Sequence, residues 1–423
     1  MAGRKEGGFH TLPLHVAILL AATGGFATRA TAQAVEEESQ RFRSVLDLPM
    51  EEYQPRRIQL GGLTLAPELE VDGGYDSNIY AAPVNKTSDA VVVVQPHLAY
   101  DLGSGERWSI SGEAFGALRR YVSTPTENSN SYGATTVLTY RTGATGSLSA
   151  SGGYRRAVES RSDPEARRDP TAGPRLFDVL NGDLVYQVTG GHFDLVARGG
   201  VEKYNFVSPA DELRDFTSYR GALRALYRLS PRVSLFVQGF YNRRDFRVLD
   251  PTDGLNRDSH TIGGLLGAQI DPGGKLRGEL GVGVFRYYAE DPQLRDFSGL
   301  AINGNIVFTP RDRTAIMLDV FRGDVATFLS GASGRIDTRA RLGIQQEVRH
   351  NLVASAGIRW WRTAYRGLPI SRKTTYGADG ELEYRFDRHL SIALLGRYAK
   401  RTSANAPDEF ERFNVGLALR TRF

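Results

Sequence analysis

The chain has 423 residues, with 53 Lys and Arg against 48 Asp and Glu, and it contains no cysteine. A formal net charge of +5 is small for this length, and no basic motif with interleaved aromatic residues occurs, so the sequence does not indicate nucleic-acid binding. The lack of cysteine excludes disulfide bonds.

Residues 1–34 have the pattern of a secretory signal peptide. Arg4 and Lys5 precede an apolar run over residues 12–27, and Ala32–Ala34 supplies the small-residue spacing of a cleavage site. The apolar run is too short for a comfortable membrane-spanning helix. We therefore predict cleavage after Ala34.

Residues 35–60 form an acidic and then mixed segment that begins "VEEESQRFRSVLDLPMEEYQPRR". The segment lacks the alternation of a strand. It could form a short helix, a flexible tether or a lumen plug, and we predict that it lies in the periplasm.

From residue 61 to residue 423 the chain consists of alternating apolar and polar segments of about ten residues. Short connections such as "TGATG" at 142–146 alternate strictly with longer, charged ones such as "SRSDPEARRDPTAGP" at 160–174. Alternation with a period of two is typical of strands that have one apolar and one polar environment. The pattern predicts an all-β protein, a transmembrane antiparallel up-and-down β-barrel of about 18 strands, within a range of 16–20. Both termini would lie on the short-turn side, which we assign to the periplasm.

The strand at 218–229 indicates which face of the barrel wall meets water. Arg220, Arg224 and Arg228 fall on one face, and apolar residues such as Leu223 fall on the other. Arginine on the lipid face would cost about 2–4 kcal/mol at mid-bilayer, so the arginines are predicted to face the lumen. By the same alternation, the predicted lumen-lining residues are Arg220, Arg224, Arg228, Phe236, Phe240, Arg335, Arg339, Arg341, Arg359 and Arg397. The residues predicted to face outward on the strand at 335–345 are Ile336, Thr338, Ala340, Leu342 and Ile344.

Two interpretations of this arginine-rich lumen remain open. The arginines could pair with acidic residues such as Asp194, Glu202, Glu279 and Asp319 and hold the shape of the barrel. Unpaired arginines could instead favour anionic solutes, as charged rings do in pores.

The chain ends on the alternating segment "FNVGLALRTRF". Its alternation alone would also suit the buried last strand of a soluble sandwich, but the signal peptide favours a barrel. Phe423, Leu419 and Leu417 on its apolar face are the predicted assembly signal. Recognition by the β-barrel assembly machinery and contact with the lipid bilayer are the partners that this interpretation implies.

The sequence shows no group of residues typical of a catalytic, metal-binding or nucleotide-binding site. The histidines of the mature chain stand alone, and His260 beside Ser259 is the nearest approach to a nucleophile and its base. No metal-ligand spacing, phosphate loop or dinucleotide fingerprint occurs. We predict that the protein is not an enzyme and uses no cofactor or metal.

Three stretches resemble a family of outer-membrane barrels labelled β-barrel porin 2. They are "LAPELEVDGGYDSNIY" at 65–80, the segment 241–292 around "NRDSH", and the closing strand. Relatives of this kind often accompany exopolysaccharide or capsule export machinery. The resemblance therefore implies a bacterial outer-membrane protein, with periplasmic polysaccharide-export proteins and a sugar polymer as partners.

Three hypotheses for the function result. The first is a conduit for the export of an exopolysaccharide or capsular polysaccharide, for which lumen aromatics such as Phe236 and Phe240 would stack on sugar faces. The second is a general or anion-preferring diffusion porin, which should have a long loop folded into the lumen, at 158–174 or at 246–259. The third is a structural or adhesive surface barrel with a blocked lumen.

Overall fold

The computed structural model describes Tyr53 and residues 55–103, 107–167, 169–250, 253–270, 275–368 and 372–423. The predicted signal peptide and most of the segment at 35–60 lie outside the described residues, so both remain predictions.

The described residues form 19 β-strands and three short 3-10 segments. The strands are β1 (Ile58–Leu60), β2 (Leu63–Asp76), β3 (Asp89–Leu102), β4 (Trp108–Tyr121), β5 (Ser129–Arg141), β6 (Gly146–Val158), β7 (Leu176–Thr189), β8 (Phe193–Phe206), β9 (Phe216–Ser230), β10 (Val233–Phe246), β11 (Ser259–Ile270), β12 (Leu276–Ala289), β13 (Phe297–Arg311), β14 (Thr314–Val325), β15 (Gly334–Arg349), β16 (Leu352–Arg366), β17 (Arg372–Arg385), β18 (Leu390–Ser403) and β19 (Phe410–Arg422). The 3-10 segments are Pro125–Glu127, Pro209–Arg214 and Ala406–Asp408. None of these segments has the length and apolar character that a membrane-spanning helix needs.

Strands β2 to β19 form a closed antiparallel barrel of 18 strands. Each strand pairs with its neighbour in sequence, and β19 pairs with β2 from Asn414 opposite Asp76 to Arg422 opposite Glu68. Closure leaves no unpaired strand edge, so the wall satisfies its own backbone N–H and C=O groups. The predicted up-and-down barrel and its strand number are confirmed.

Strand β1 lies outside this ring and extends the seam between β19 and β2. A turn at Gly61, which has φ +64°, brings Leu60 opposite Leu63. Strand β1 thus pairs with the first residues of β2, which lie beyond the reach of β19. The sequence of the segment 35–60 indicated no strand here, and the structure shows one at its end.

The connections divide between the two ends of the barrel. We call the end with connections such as 159–175 and 247–258 the long-loop end, and the end with connections such as 190–192 and 231–232 the short-turn end. Strand β2 begins and β19 finishes at the short-turn end, as the sequence predicted.

Candidate functional site: the lumen and the loop that crosses it

The face of the wall that carries the arginines is the interior of the barrel. The Nη1 atom of Arg224 on β9 lies 2.7 Å from the Oε2 atom of Glu279 on β12. These strands are not neighbours in the ring, so their side chains can meet only across the concave side. Leu223, the next residue along the strand, is 70% exposed on the outer surface.

The arginines of β9 are paired with acidic residues of nearby strands. Arg220 lies 3.2 Å from Asp183 and 3.6 Å from Glu202, and Arg228 lies 3.1 Å from Asp194. Removing an arginine would leave a partly buried carboxylate without its partner, which is costly. These pairs favour a role in holding the shape of the wall.

A second charged group is centred on Asp337 of β15, which is fully buried. The guanidinium groups of Arg335 and Arg339 lie 2.8 Å and 2.9 Å from its Oδ2 atom, and Thr363 donates to its Oδ1 atom at 3.0 Å. The indole ring of Trp361 lies under the Arg339 guanidinium, 4.7 Å away. Both arginines are therefore held between one carboxylate and the wall.

Deeper in the lumen, several arginines surround the carboxylate of Asp379. Arg341 lies 2.9 Å from Asp379, whereas Arg359 is 3.9 Å from the same carboxylate. Arg397 is opposite Asp379 in the strand register, yet it has no hydrogen bond or ion pair with any described residue. The carboxylates of Asp379 and Asp72 still act on its charge from farther away.

Phe236 and Phe240 pack against the wall. Each ring lies over a glycine of β11: a Cβ atom at Gly267 would come 2.4 Å from the ring of Phe236, and one at Gly263 would come 2.3 Å from the ring of Phe240. Phe236 is only 4% exposed, and the Arg224 guanidinium lies 4.2 Å from its ring centroid. Neither face of Phe236 is open to a sugar ring.

The connection between β6 and β7, residues 159–175, crosses the lumen at the long-loop end; we call it the crossing loop. Lys373 on β17 donates to the Pro164 carbonyl at 2.6 Å, and Arg412 on β19 donates to the Ser162 hydroxyl at 3.2 Å. Strands β6 and β7 stand half the ring of 18 strands away from β15 and β16. The crossing loop therefore extends from one wall to the opposite one.

Glu165 joins the crossing loop to a second inward loop, the connection 326–333 between β14 and β15. Its carboxylate accepts hydrogen bonds from the Phe328 N–H and the Thr327 hydroxyl, each at 2.8 Å. It also lies 3.4 Å from Arg335. One carboxylate thus holds the two loops and the wall together.

The base of the crossing loop is fixed by buried ion pairs. Glu159 lies 2.9 Å from Arg175 and 2.7 Å from Arg214, and Arg161 is paired with Glu127. Such networks are costly to open because each charge would be left without a partner.

Asp163 is the exception within the crossing loop. It is 3% exposed, and neither carboxylate oxygen has a hydrogen-bond partner among the described residues. Burial raises the pKa of this carboxyl well above its ordinary value, and Glu159 raises it further, against the opposing effect of Arg401, Arg335 and Arg339. Because the docked loop holds the proton more tightly, docking is favoured at low pH and weakens as pH rises.

An aromatic cluster lies beneath the two inward loops, and sequence reasoning missed it. Phe328 of the second loop contacts rings on β8, β9 and β10, and the Arg214 guanidinium lies 4.8 Å from its ring. The sequence did contain a sign of this cluster: apolar residues occur at positions that should face inward, so the alternation is poor there. The rings of the cluster are those of Phe177, Tyr204, Phe206, Phe216, Phe246 and Phe328.

One predicted orientation is wrong. Ile336 was expected to face outward, but it is 1% exposed and packs with Phe285 and Tyr287 in the interior. The ends of β14 and β15 are buried on both faces here, because the second inward loop folds over the lumen. Farther down β15, Leu342 and Ile344 are exposed as predicted.

The remaining sequence candidates are separated by the fold. Leu417, Leu419 and Phe423 are exposed on the outer face of β19. Ser259 is buried, whereas His260 contacts Glu290 and stacks on Tyr288; consecutive strand residues point to opposite faces, so the two cannot act as a nucleophile and its base. Within the described residues, no group of His, Cys, Asp and Glu could hold a metal ion.

Cysteine labelling would test the predicted lumen-lining residues. Cysteines at Arg220, Arg224 and Arg339 should react in the intact membrane with a small water-soluble thiol reagent, because these positions face the interior. Cysteines at Leu223 and Leu342 should be protected by lipid. The reverse pattern would mean that the register is shifted by one residue, which moves every side chain to the other face.

Comparison with solved structures finds iron transporters and siderophore receptors at low identity. The FrpB iron transporter from Neisseria meningitidis (F5-1 variant) has a TM-score of 0.46 and 10% identity, with 84% of this chain and 82% of that chain covered. The siderophore receptor PirA from Acinetobacter baumannii has a TM-score of 0.44 and 7% identity, with 85% and 80% covered. At these values the likeness carries no functional inference.

Comparison with curated proteins finds no match. Comparison with protein families does find one: residues 51–423 match the family described as "Putative beta-barrel porin 2". The matched range includes every strand of the barrel. The chain therefore belongs to this family of outer-membrane-type β-barrels.

Proposed function

We propose that the protein is a diffusion porin for small polar solutes, in which the crossing loop sets the size limit. The observation that carries this proposal is the passage of the crossing loop from β6 and β7 to the opposite wall, held there through Pro164, Ser162 and Glu165. A long infolded loop is the feature expected of a general porin, and it argues against an open conduit for a polymer.

The charges of the lumen support a weak preference for anions. Most interior arginines are paired, and a paired arginine contributes little net field to a passing ion. Arg198 on β8 and Arg397 on β18 make no direct ion pair with a described residue, although carboxylates such as Glu279 and Asp379 act on them from farther away. Cationic side chains that line a pore favour anions. The preference for anions would then depend mainly on these two arginines.

Export of a sugar polymer receives less support from the geometry. The aromatic residues on which that hypothesis rested, Phe236 among them, pack into the wall. A polymer would also need the crossing loop to leave the lumen, at the cost of the ion pair between Glu165 and Arg335 and of the hydrogen bonds from Lys373 and Arg412.

Swelling of proteoliposomes would test the proposal. With the purified protein in the bilayer, the rate of swelling should be high for a pentose, fall steeply for a disaccharide and vanish for an oligosaccharide. Empty liposomes provide the baseline.

Two results would contradict the proposal. Absence of swelling with every solute would favour a surface barrel with a blocked lumen. A gene deletion that abolishes surface polysaccharide, while small-solute permeability stays unchanged, would favour the export conduit.

A further inference from the structure

Three arginines lie close together at the long-loop end of β14 and β16; we call Arg322, Arg362 and Arg366 the outward arginine patch. Arg322 and Arg362 lie on the outer face, and Arg366 is exposed at the rim. Arg322 and Arg362 are each opposite Thr338 in the strand register, one on either side of it. The Thr338 hydroxyl accepts a hydrogen bond from Nη1 of Arg322 at 2.6 Å. Arg366 follows farther along β16 and is exposed.

The patch lies at the level where lipid headgroups meet water. Trp360 lies on the same face of β16 as Arg362, two residues closer to the short-turn end. It is opposite Tyr376 in the strand register, and Tyr376 is 52% exposed. Trp and Tyr on the outer surface of a barrel mark the membrane interface. The arginines therefore begin where the aromatic band ends.

No acidic side chain among the described residues pairs with this patch. The charged groups that act on Arg322 are Arg366 and Arg362, both of like sign. The Nε atom of Arg322 is buried and has no hydrogen-bond partner within the described chain. The guanidinium of Arg366 lies 6.0 Å from the ring of Phe297, which packs against the interior cluster at the rim and adds no negative charge.

Two other outward arginines at the long-loop end, Arg156 and Arg243, have acidic partners. Arg156 forms two hydrogen bonds with Asp178, both at 2.8 Å, and Arg243 lies 2.7 Å from Asp245. A cluster of three like charges without a carboxylate costs free energy unless an anion from outside the chain compensates it. A phosphate group fits this need, because a guanidinium binds phosphate through two parallel hydrogen bonds.

We propose that the outward arginine patch binds the phosphorylated headgroup of a lipid in the leaflet that surrounds the long-loop end. The position above the aromatic band selects a lipid headgroup over a soluble ligand, and basic clusters at the membrane surface bind anionic lipids. The bound lipid would be an annular partner of the barrel, independent of what passes through the lumen.

Binding to lipid A in detergent would test this site, with dissociation constants measured by native mass spectrometry. The wild-type protein should bind lipid A that carries both phosphates at least tenfold more tightly than the same lipid after dephosphorylation. A variant with Arg322→Gln, Arg362→Gln and Arg366→Gln should bind the phosphorylated lipid at least tenfold more weakly than the wild type.

The matched control is Arg243→Gln, which removes an outward arginine that already has an acidic partner and should leave the affinity unchanged. Heat-induced mobility shifts on gels would check that each variant is folded. If the triple Gln variant does not fold, the triple Lys variant keeps the charges but not the paired hydrogen bonds, and it should bind with intermediate affinity.

Equal binding by the wild-type and triple Gln variants would overturn the proposal, as would equal loss in Arg243→Gln. Equal binding of the dephosphorylated lipid would show that the acyl chains alone are recognised. Displacement of lipid A by inorganic phosphate at similar concentration would show a site for a free anion and not for a lipid.

Discussion

Replacement of residues 160–174 by a short Gly-Ser turn should raise the single-channel conductance several-fold. These residues cross the lumen from β6 and β7 and reach β17 and β19 on the other side. Without them the path through the barrel would be limited by the wall and the second inward loop. Planar-bilayer recording of the purified protein measures the conductance, and proteoliposome swelling should show faster entry of the disaccharide.

A point variant tests whether the conductance depends on the docking of the crossing loop and not only on its presence. Glu165→Gln keeps the length of the loop but removes the charge that faces Arg335. Arg335 keeps its ion pair with Asp337, so the change weakens the docking of the loop without leaving a buried charge alone, and we expect brief openings to a larger conductance. Replacing the exposed residues 404–407 between β18 and β19 with Gly and Ser should leave the conductance unchanged.

The prediction for the loop replacement is contradicted if the barrel without residues 160–174 folds, inserts and has the same conductance as the wild type. The path would then run beside the crossing loop and not through the space it fills, and the proposed size limit would lie elsewhere.

The wall of the barrel could be predicted from the sequence because its rule is local. A residue on a strand faces either lipid or the interior, and the two environments select opposite side chains. Leu223 and Arg224 illustrate this: the first is 70% exposed to the outside, and the second is paired with Glu279 in the interior. The strand number followed from the same pattern together with the strict alternation of short and long connections.

The contents of the lumen could not be predicted in this way, because they depend on contacts that are distant in sequence. Glu165 meets Thr327 and Arg335, and no local pattern links these residues. The alternation also fails where a loop covers the inner face, since inward residues such as Phe177 can then be apolar without penalty. The error at Ile336 has the same cause.

Phe423→Asp should lower the amount of assembled barrel in the outer membrane at least tenfold. The side chain is 53% exposed, its ring centroid is 6.0 Å from that of His389, and its N–H donates to the Pro67 carbonyl at 3.1 Å. A charge near the interface costs only about 0–1 kcal/mol, so the folded barrel should lose little stability. A large loss must therefore arise during assembly, when the exposed end of the last strand, with Leu417 and Leu419, is available for recognition.

The matched control is Phe193→Asp on β8. Phe193 is also an outward aromatic residue at the short-turn end, 63% exposed and in contact with Tyr227, but it is not on the closing strand. Quantitative blotting of outer membranes should show near-normal levels for this variant, and the assembled fraction of both variants should unfold at nearly the wild-type temperature on heated gels. Equal loss in the two variants would mean that interfacial aromatics in general, and not the terminal residue, set the yield. Normal levels of Phe423→Asp would remove the assembly role of this residue.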